Sequence, residues 1–177
     1  FVAPEVNQNH GDRPIYLKFA TYSNSSTITV SQPANPDFEP IQFQMQPNDS
    51  YELNLTSFID IIENKPSKTV LNYGIKIVST SEIMVYYEVS PGCECNPDIF
   101  SLKGKNALGT SFITPYQSFN NSGAGYYAGF NVVATEDATT IDIVLTQDSE
   151  GFLAGEEFSI TLNRGESYGI KAVNSIV

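Results

Sequence analysis

The sequence predicts an all-β protein of tandem antiparallel β-sandwich-like units, with at most one short helix near residues 57–64. Apolar and polar residues alternate over segments of four to six residues, which is the pattern of a strand with one buried face. Clusters of Asn, Ser, Gly and Pro separate these segments, and such residues form turns. Hydrophobic residues make up 41% of the 177 residues, which is enough to fill a core.

The elements are predicted in order along the chain. Strands are expected at residues 15–20, 27–30, 41–45, 51–55, 74–78, 83–89 and 98–102. The segment 83–89 is largely apolar, as expected for a strand near the centre of a sandwich. Thr56 or Ser57 is a candidate N-cap for a short helix from Phe58 to Glu63, which Pro66 would end.

An internal repeat divides the chain. Residues 26–30 match residues 139–143 at an offset of 113, and residues 41–45 match residues 158–162 at an offset of 117. The turns that follow read NDSY and GESY, and FVAP at the start of the chain matches FITP from residue 112. The offset grows only inside polar loops, where insertions are tolerated. We therefore expect two units, 1–110 and 111–177.

The second unit is a partial copy of the first. We expect it either to be truncated or to be completed by packing on the first unit. As a hypothesis, the chain is a piece of a longer modular protein.

The charge balance argues against two classes of binding partner, nucleic acid and anionic membranes. The chain has 20 acidic and 9 basic residues, for a net charge of −11. It therefore lacks the cationic surface that would bind nucleic acid or an anionic membrane. No apolar run approaches the roughly 18 residues of a membrane helix.

The standard catalytic and metal-binding motifs are missing as well. His10 is the one histidine, and no G-x-S-x-G motif or phosphate-binding glycine loop is present. Cys93 and Cys95 have a single residue between them, so an intrachain disulfide would be strained. They are interpreted as loop thiols, or as a strained or externally paired bridge, and the alternatives are metal binding through sulfur and a redox dithiol. We predict no enzyme, no cofactor and no metal, although whether calcium binds stays open.

Several stretches resemble a known family. Residues 133–143 read VATEDATTIDI and residues 160–168 read ITLNRGESY. These resemble the "ATEDNTTVTI" and "LNRGQTY" stretches typical of the N-terminal domain family of IgGFc-binding protein. Residues 72–77 and 83–87 resemble the same family, and residues 96–109 are similar to its bacterial branch.

The resemblance implies a noncatalytic β module outside the cell. The bacterial branch occurs in large surface proteins of Bacteroidota, often near gliding-motility proteins and commonly with a type IX secretion signal. We expect adhesion, or binding of cell-surface or host glycans and glycoproteins. The alternative is a structural spacer that projects other domains and has no ligand of its own.

Tyr126 and Tyr127 are the candidate ligand-binding residues. They follow a stretch rich in Asn, Ser and Gly, and aromatic side chains are enriched at interfaces. The other interpretation is that they begin the next strand and pack inside the sandwich.

Overall fold

The computed structural model describes residues 1–5, 14–90, 97–114 and 128–172. These residues form mostly antiparallel β-structure, which confirms the predicted all-β class. The strands are β1 (Ile15–Thr21), β2 (Ser26–Ser31), β3 (Ile41–Met45), β4 (Ser50–Asn54), β5 (Lys76–Ser79), β6 (Ile83–Val89), β7 (Asp98–Ser101), β8 (Gly129–Val133), β9 (Thr139–Val144), β10 (Glu157–Leu162) and β11 (Ser167–Lys171).

The helix is shorter than predicted and is not capped by a side chain. A 3-10 turn over Thr56–Phe58 leads into α1 (Ile59–Ile62), so the helix ends one residue before Glu63. The predicted caps were wrong, because neither Thr56 nor Ser57 caps α1 with its side chain. The Thr56 hydroxyl instead accepts a hydrogen bond from Ile15 N at 3.0 Å, which ties it to β1. A second 3-10 turn covers Gly104–Ala107.

Two sheets enclose the larger core, which lies in the N-terminal region (residues 1–110). One sheet has the order β4-β1-β6-β7 and the other has the order β3-β2-β5. Strand alternation turns Leu17 and Phe19 of β1, Ile28 of β2 and Tyr87 of β6 into the space between the sheets, where each is at most 2% exposed. This is the sandwich that the alternation predicts.

A smaller core lies in the C-terminal region (residues 111–177). It is enclosed by the pairs β10-β9 and β11-β8 and contains Ile143, Leu162, Tyr168 and Ile170. The bounds of β8 were not predicted from the sequence, where a strand in this part of the chain was only the second interpretation of Tyr126 and Tyr127.

Equivalent strands in the two regions pair in the same register. Ser26 pairs with Met45 in β2–β3, and their equivalents Thr139 and Leu162 pair in β9–β10. Ala20 pairs with Ser50 in β1–β4, and their equivalents Val133 and Ser167 pair in β8–β11.

The turns before β4 and β11 also agree. Asn48 has φ 55°, and Gly165, the equivalent residue at an offset of 117, has φ 84°. Both turns therefore place a residue in the left-handed region, which Gly and Asn tolerate best. Shared registers and shared turn geometry support the division into two repeated units, which remains our proposal.

Candidate binding cleft

The two regions are joined along one edge of β11. Lys68 N donates to Gly169 O at 2.7 Å, and Gly74 N donates to Gly165 O at 3.0 Å. Between them Leu71 and Ser167 exchange backbone hydrogen bonds of 2.9 and 2.7 Å. Residues 64–74, called the seam below, therefore run antiparallel to β11 and extend the β11-β8 pair by one irregular strand.

A chain of side-chain hydrogen bonds, buried at Ser167 and Asn64 and ending at the exposed Asn131, fixes the seam. Ser167 Oγ donates to Asn64 Oδ1 at 2.7 Å, and Asn64 Nδ2 donates to Asn131 Oδ1 at 2.8 Å. Ser167 is 0% exposed and Asn64 is 2% exposed. Buried amides and hydroxyls are costly without partners, so these bonds make the alignment of the seam on β11 specific.

Gly169 leaves the space in which this chain of bonds runs. A Cβ atom built at Gly169 would overlap Asn131 Oδ1 and Asn64 Nδ2. The equivalent residue in β4 is Glu52, which is exposed. Gly169 therefore replaces the Glu52 of the first unit because the side chain of Asn64 occupies the space that a Cβ atom would need.

A polar cleft of about 220 Å³ opens beside these groups. It is lined by Pro4, Glu5, Asn64, Ser67, Gly129, Phe130, Asn131, Gly169, Ile170 and Lys171. Both regions contribute, so the cleft exists only because the seam holds them together. Amide groups of Asn64 and Asn131 face it, while the side chains of Phe130 and Ile170 pack into the C-terminal core.

Charged groups around the cleft are paired. The Lys171 ammonium forms an ion pair with Glu5, and the Ser67 hydroxyl donates to the Glu150 carboxylate. Lys68 Nζ lies 5.7 Å from the centre of the Phe152 ring, as in a cation–π contact. Burial, and then the nearby charge of Glu150, raise the pKa of Tyr168.

The cleft offers groups that can bind a ligand. In the described parts of the chain, no group of three or more His, Cys, Asp or Glu side chains is placed to hold a metal ion. Amides and an ion pair can donate and accept hydrogen bonds, but they provide no activated nucleophile.

The candidates named from the sequence cannot be compared with the cleft. Tyr126 and Tyr127 lie outside the described residues, as do His10, Cys93 and Cys95. The described structure resumes at Ala128, whose carbonyl accepts from Ala172 N at 2.8 Å, and Gly129 lines the cleft.

Sequence reasoning missed Asn64, Asn131 and Lys171. The available signal was Gly169, a glycine inside a strand where the aligned residue of the first unit is Glu52.

One comparison with known proteins returns a match. Residues 98–177 match the family model of IgGFc binding protein. The matched part contains β7 to β11 and six of the ten cleft-lining residues. Neither a curated protein nor a solved structure matches the chain.

The matched family consists of binding modules that are typically extracellular, and no catalysis is known for it. In the described ranges no helix has the length and apolar character needed to cross a membrane.

Proposed function

We propose that this protein is a noncatalytic extracellular binding module, and that its ligand docks in the cleft beside the seam. The observation that supports this most directly is the overlap between the family match and the cleft. Residues 98–177 include Asn131, Gly169 and Lys171, which line it. The site residues of the module are thus expected to be those that the seam brings together.

The chemistry of the cleft favours a neutral, hydroxyl-rich ligand such as one sugar residue of a glycoprotein. The Asn131 amide is exposed beside the Glu5–Lys171 ion pair, so donors and acceptors stand side by side. The net charge of −11 disfavours acidic ligands and nucleic acid.

The size of the cleft predicts weak binding at a single site. Its volume of about 220 Å³ is below the roughly 300–1,000 Å³ of pockets that enclose a drug-sized ligand. A module of this kind would gain avidity from several copies presented together.

The bacterial setting is also part of the proposal. Residues 96–109 resemble the bacterial branch of the family, which favours a large surface or secreted protein of the gliding-motility and type IX secretion kind. Protease shaving of intact cells tests it, because a surface module is released and an internal protein is retained.

The second candidate function is a structural spacer. The hydrogen-bonded seam favours it, because Leu71 and Asn64 join the N-terminal region directly to Ser167 of the C-terminal region. A stiff pair of β modules projects a neighbouring domain without needing a ligand.

Binding of the folded protein to an immobilised panel of glycans and glycoproteins, immunoglobulin Fc included, separates the two. The panel is measured with and without calcium, which also answers whether calcium takes part. The cleft variant is Asn131→Ala, and the control is Gln44→Ala, an amide on the exposed face of β3.

Saturable binding that Asn131→Ala weakens at least tenfold, and Gln44→Ala leaves intact, supports the cleft. Loss of binding only in Tyr126→Ala/Tyr127→Ala would move the site to those tyrosines. A folded protein that binds nothing on the panel supports the spacer.

A further inference from the structure

Two strands of the C-terminal region have an edge without a described partner. Within the described ranges β9 pairs only with β10, and β8 pairs only with β11. Their equivalents in the N-terminal region are paired on both edges. β2 has β5 on its second edge over four residue pairs, and β1 has β6 on its second edge over seven.

The core beneath these edges is open on the same side. In the N-terminal region Ile75, Val85, Tyr87 and Val89 close the core. Among the described residues of the C-terminal region, none closes the core in this way, and Phe130, Val132 and Ile141 are half-buried. Their equivalents Leu17, Phe19 and Ile28 are at most 2% exposed.

A third difference lies at the start of each region. Phe1 exchanges 2.7 Å hydrogen bonds with Ile75 and packs on Tyr87 with the ring centroids 5.5 Å apart. Phe112, which matches Phe1, is 66% exposed, and Ile113, which matches Val2, is 95% exposed. The part of the N-terminal region that covers Phe1 is therefore the same strand–turn–strand segment, residues 75–89, that closes its core.

We propose that the edges of β8 and β9 that have no partner among the described residues, together with Phe112 and Ile113, accept a strand–turn–strand segment from another repeat unit of this type. The occupant has the pattern of residues 75–89. One strand adds antiparallel to β9 as β5 does to β2, a short turn crosses the core, and the second strand adds to β8 as β6 does to β1.

The shared registers support this choice of occupant. In the N-terminal region residues 75–89 pair with the edges of β2 and β1. The strands β9 and β8 are expected to offer the same pairing positions, because Ser26–Met45 and Thr139–Leu162 are equivalent pairs. Backbone hydrogen bonds along the edges would supply affinity, and apolar side chains alternating into the open core would supply specificity. The proposal does not depend on the ligand of the cleft.

The test compares hydrogen exchange in two proteins. One is the chain as it stands, and the other is a chimera in which a second copy of residues 61–90 follows Val177. We expect amide exchange in β8 and β9 of the chimera to slow at least tenfold, and binding of a hydrophobic dye to fall. Exchange in β1 and β2 serves as the internal reference.

Two variants of the chimera provide matched controls. Val85→Asp, placed only in the appended copy, puts a charge where the core would be filled, so protection should be lost. Phe112→Ser changes an exposed side chain in the parent chain and should leave that parent folded while reducing the gain in the chimera.

Three outcomes would overturn the proposal. The first is unchanged exchange in β8 and β9 of the chimera. The second is amide exchange in β8 and β9 of the unmodified protein that is already as slow as in β1 and β2. Residues of the chain itself would then cover the edges. The third is protection that rises with protein concentration, because association of two whole chains, and not the appended segment, would then cover the edges. Ligand binding in the cleft is measured separately on the same samples, so its failure would not be mistaken for any of these.

Discussion

Ile28 in β2 and Ile141 in β9 are equivalent residues in strands of the same register, yet one is fully buried and the other is half-buried. The opposite holds for β4 and β11. Tyr51 is 42% exposed at the edge of its sheet, whereas its equivalent Tyr168 is 6% exposed beneath the seam. A repeated strand pattern therefore fixes which residues pair, and the neighbours of each pair decide how deeply the residues are buried.

The largest expected effect tests the difference in core closure. Ile28→Ala should lower the free energy of unfolding by about 2–5 kcal/mol, because it empties space in a closed core. Ile141→Ala removes the same atoms from a half-open core and should cost about 1–2 kcal/mol. Urea unfolding, followed by hydrogen exchange within each region, measures both. Equal losses would mean that the C-terminal core is closed too.

A smaller effect is expected where the seam crosses Gly169. Gly169→Ala introduces a Cβ that overlaps the Asn64–Asn131 hydrogen bond, and overpacking of this kind costs about 1–3 kcal/mol. Glu52→Ala, the substitution at the equivalent exposed residue of β4, should cost about 1 kcal/mol or less because its pair with Lys18 is at the surface. Thermal unfolding of both variants makes the comparison. A Gly169→Ala protein as stable as the control would show that the seam adapts without loss.

The Asn64–Ser167 hydrogen bond should contribute less again. Ser167→Ala leaves a buried acceptor without its donor and should cost about 1–2 kcal/mol. A double-mutant cycle with Asn64→Ala should give a coupling of about 1 kcal/mol. Ser50→Ala, at the equivalent exposed residue, is the control and should be close to neutral. A coupling near zero would argue that backbone bonds alone align the seam.

The smallest expected effect is on alkaline stability. Burial, and then Glu150, raise the pKa of Tyr168 above its usual 10.0, so above pH 10 the unfolded chain loses this proton first. Stability should therefore fall as the pH rises from 10 through the folded-state pKa. Tyr168→Phe should remove this contribution and leave the stability at pH 7 nearly unchanged.

Deprotonation of Lys18 in the N-terminal region should also lower the folding stability at alkaline pH. Hydrogen bonds from its ammonium to Glu88, and then to Glu52, raise the pKa of Lys18, so its stabilising contribution is lost as the pH rises above 10.5. Stability curves between pH 9 and 11 for the parent and Tyr168→Phe separate the two groups. If the stability of the two proteins falls with pH at the same rate, the pKa of Tyr168 does not differ between the folded and the unfolded chain.

The strands were predictable because their signal is local. Alternation with a period of two placed β1, β2, β3 and β6 to within one or two residues, and the turn residues between them marked where each strand ends. The proposed repeat rests on the same kind of local signal. Equivalent strands carry the same alternation, and the offset changes only in loops.

The helix cap and the cleft were not predictable in this way. Thr56 was a plausible cap from its neighbours, but its hydroxyl accepts from Ile15, which is 41 residues away in sequence. Asn64 and Ser167 are separated by 103 residues, and nothing near either one marks it as a partner for the other. A polar residue in a strand or turn has many local uses, and only its neighbours in space select one.

The amino-acid sequence by itself thus determined the all-β class, the position of most strands and the recurrence of one pattern in both regions. The tertiary structure decided which edge of β11 is covered, where Asn64 meets Asn131, and that a cleft opens beside them. The physical reason is one of range. Side-chain alternation and turn conformation depend on adjacent residues, whereas burial and the pairing of polar groups depend on which distant segments pack together.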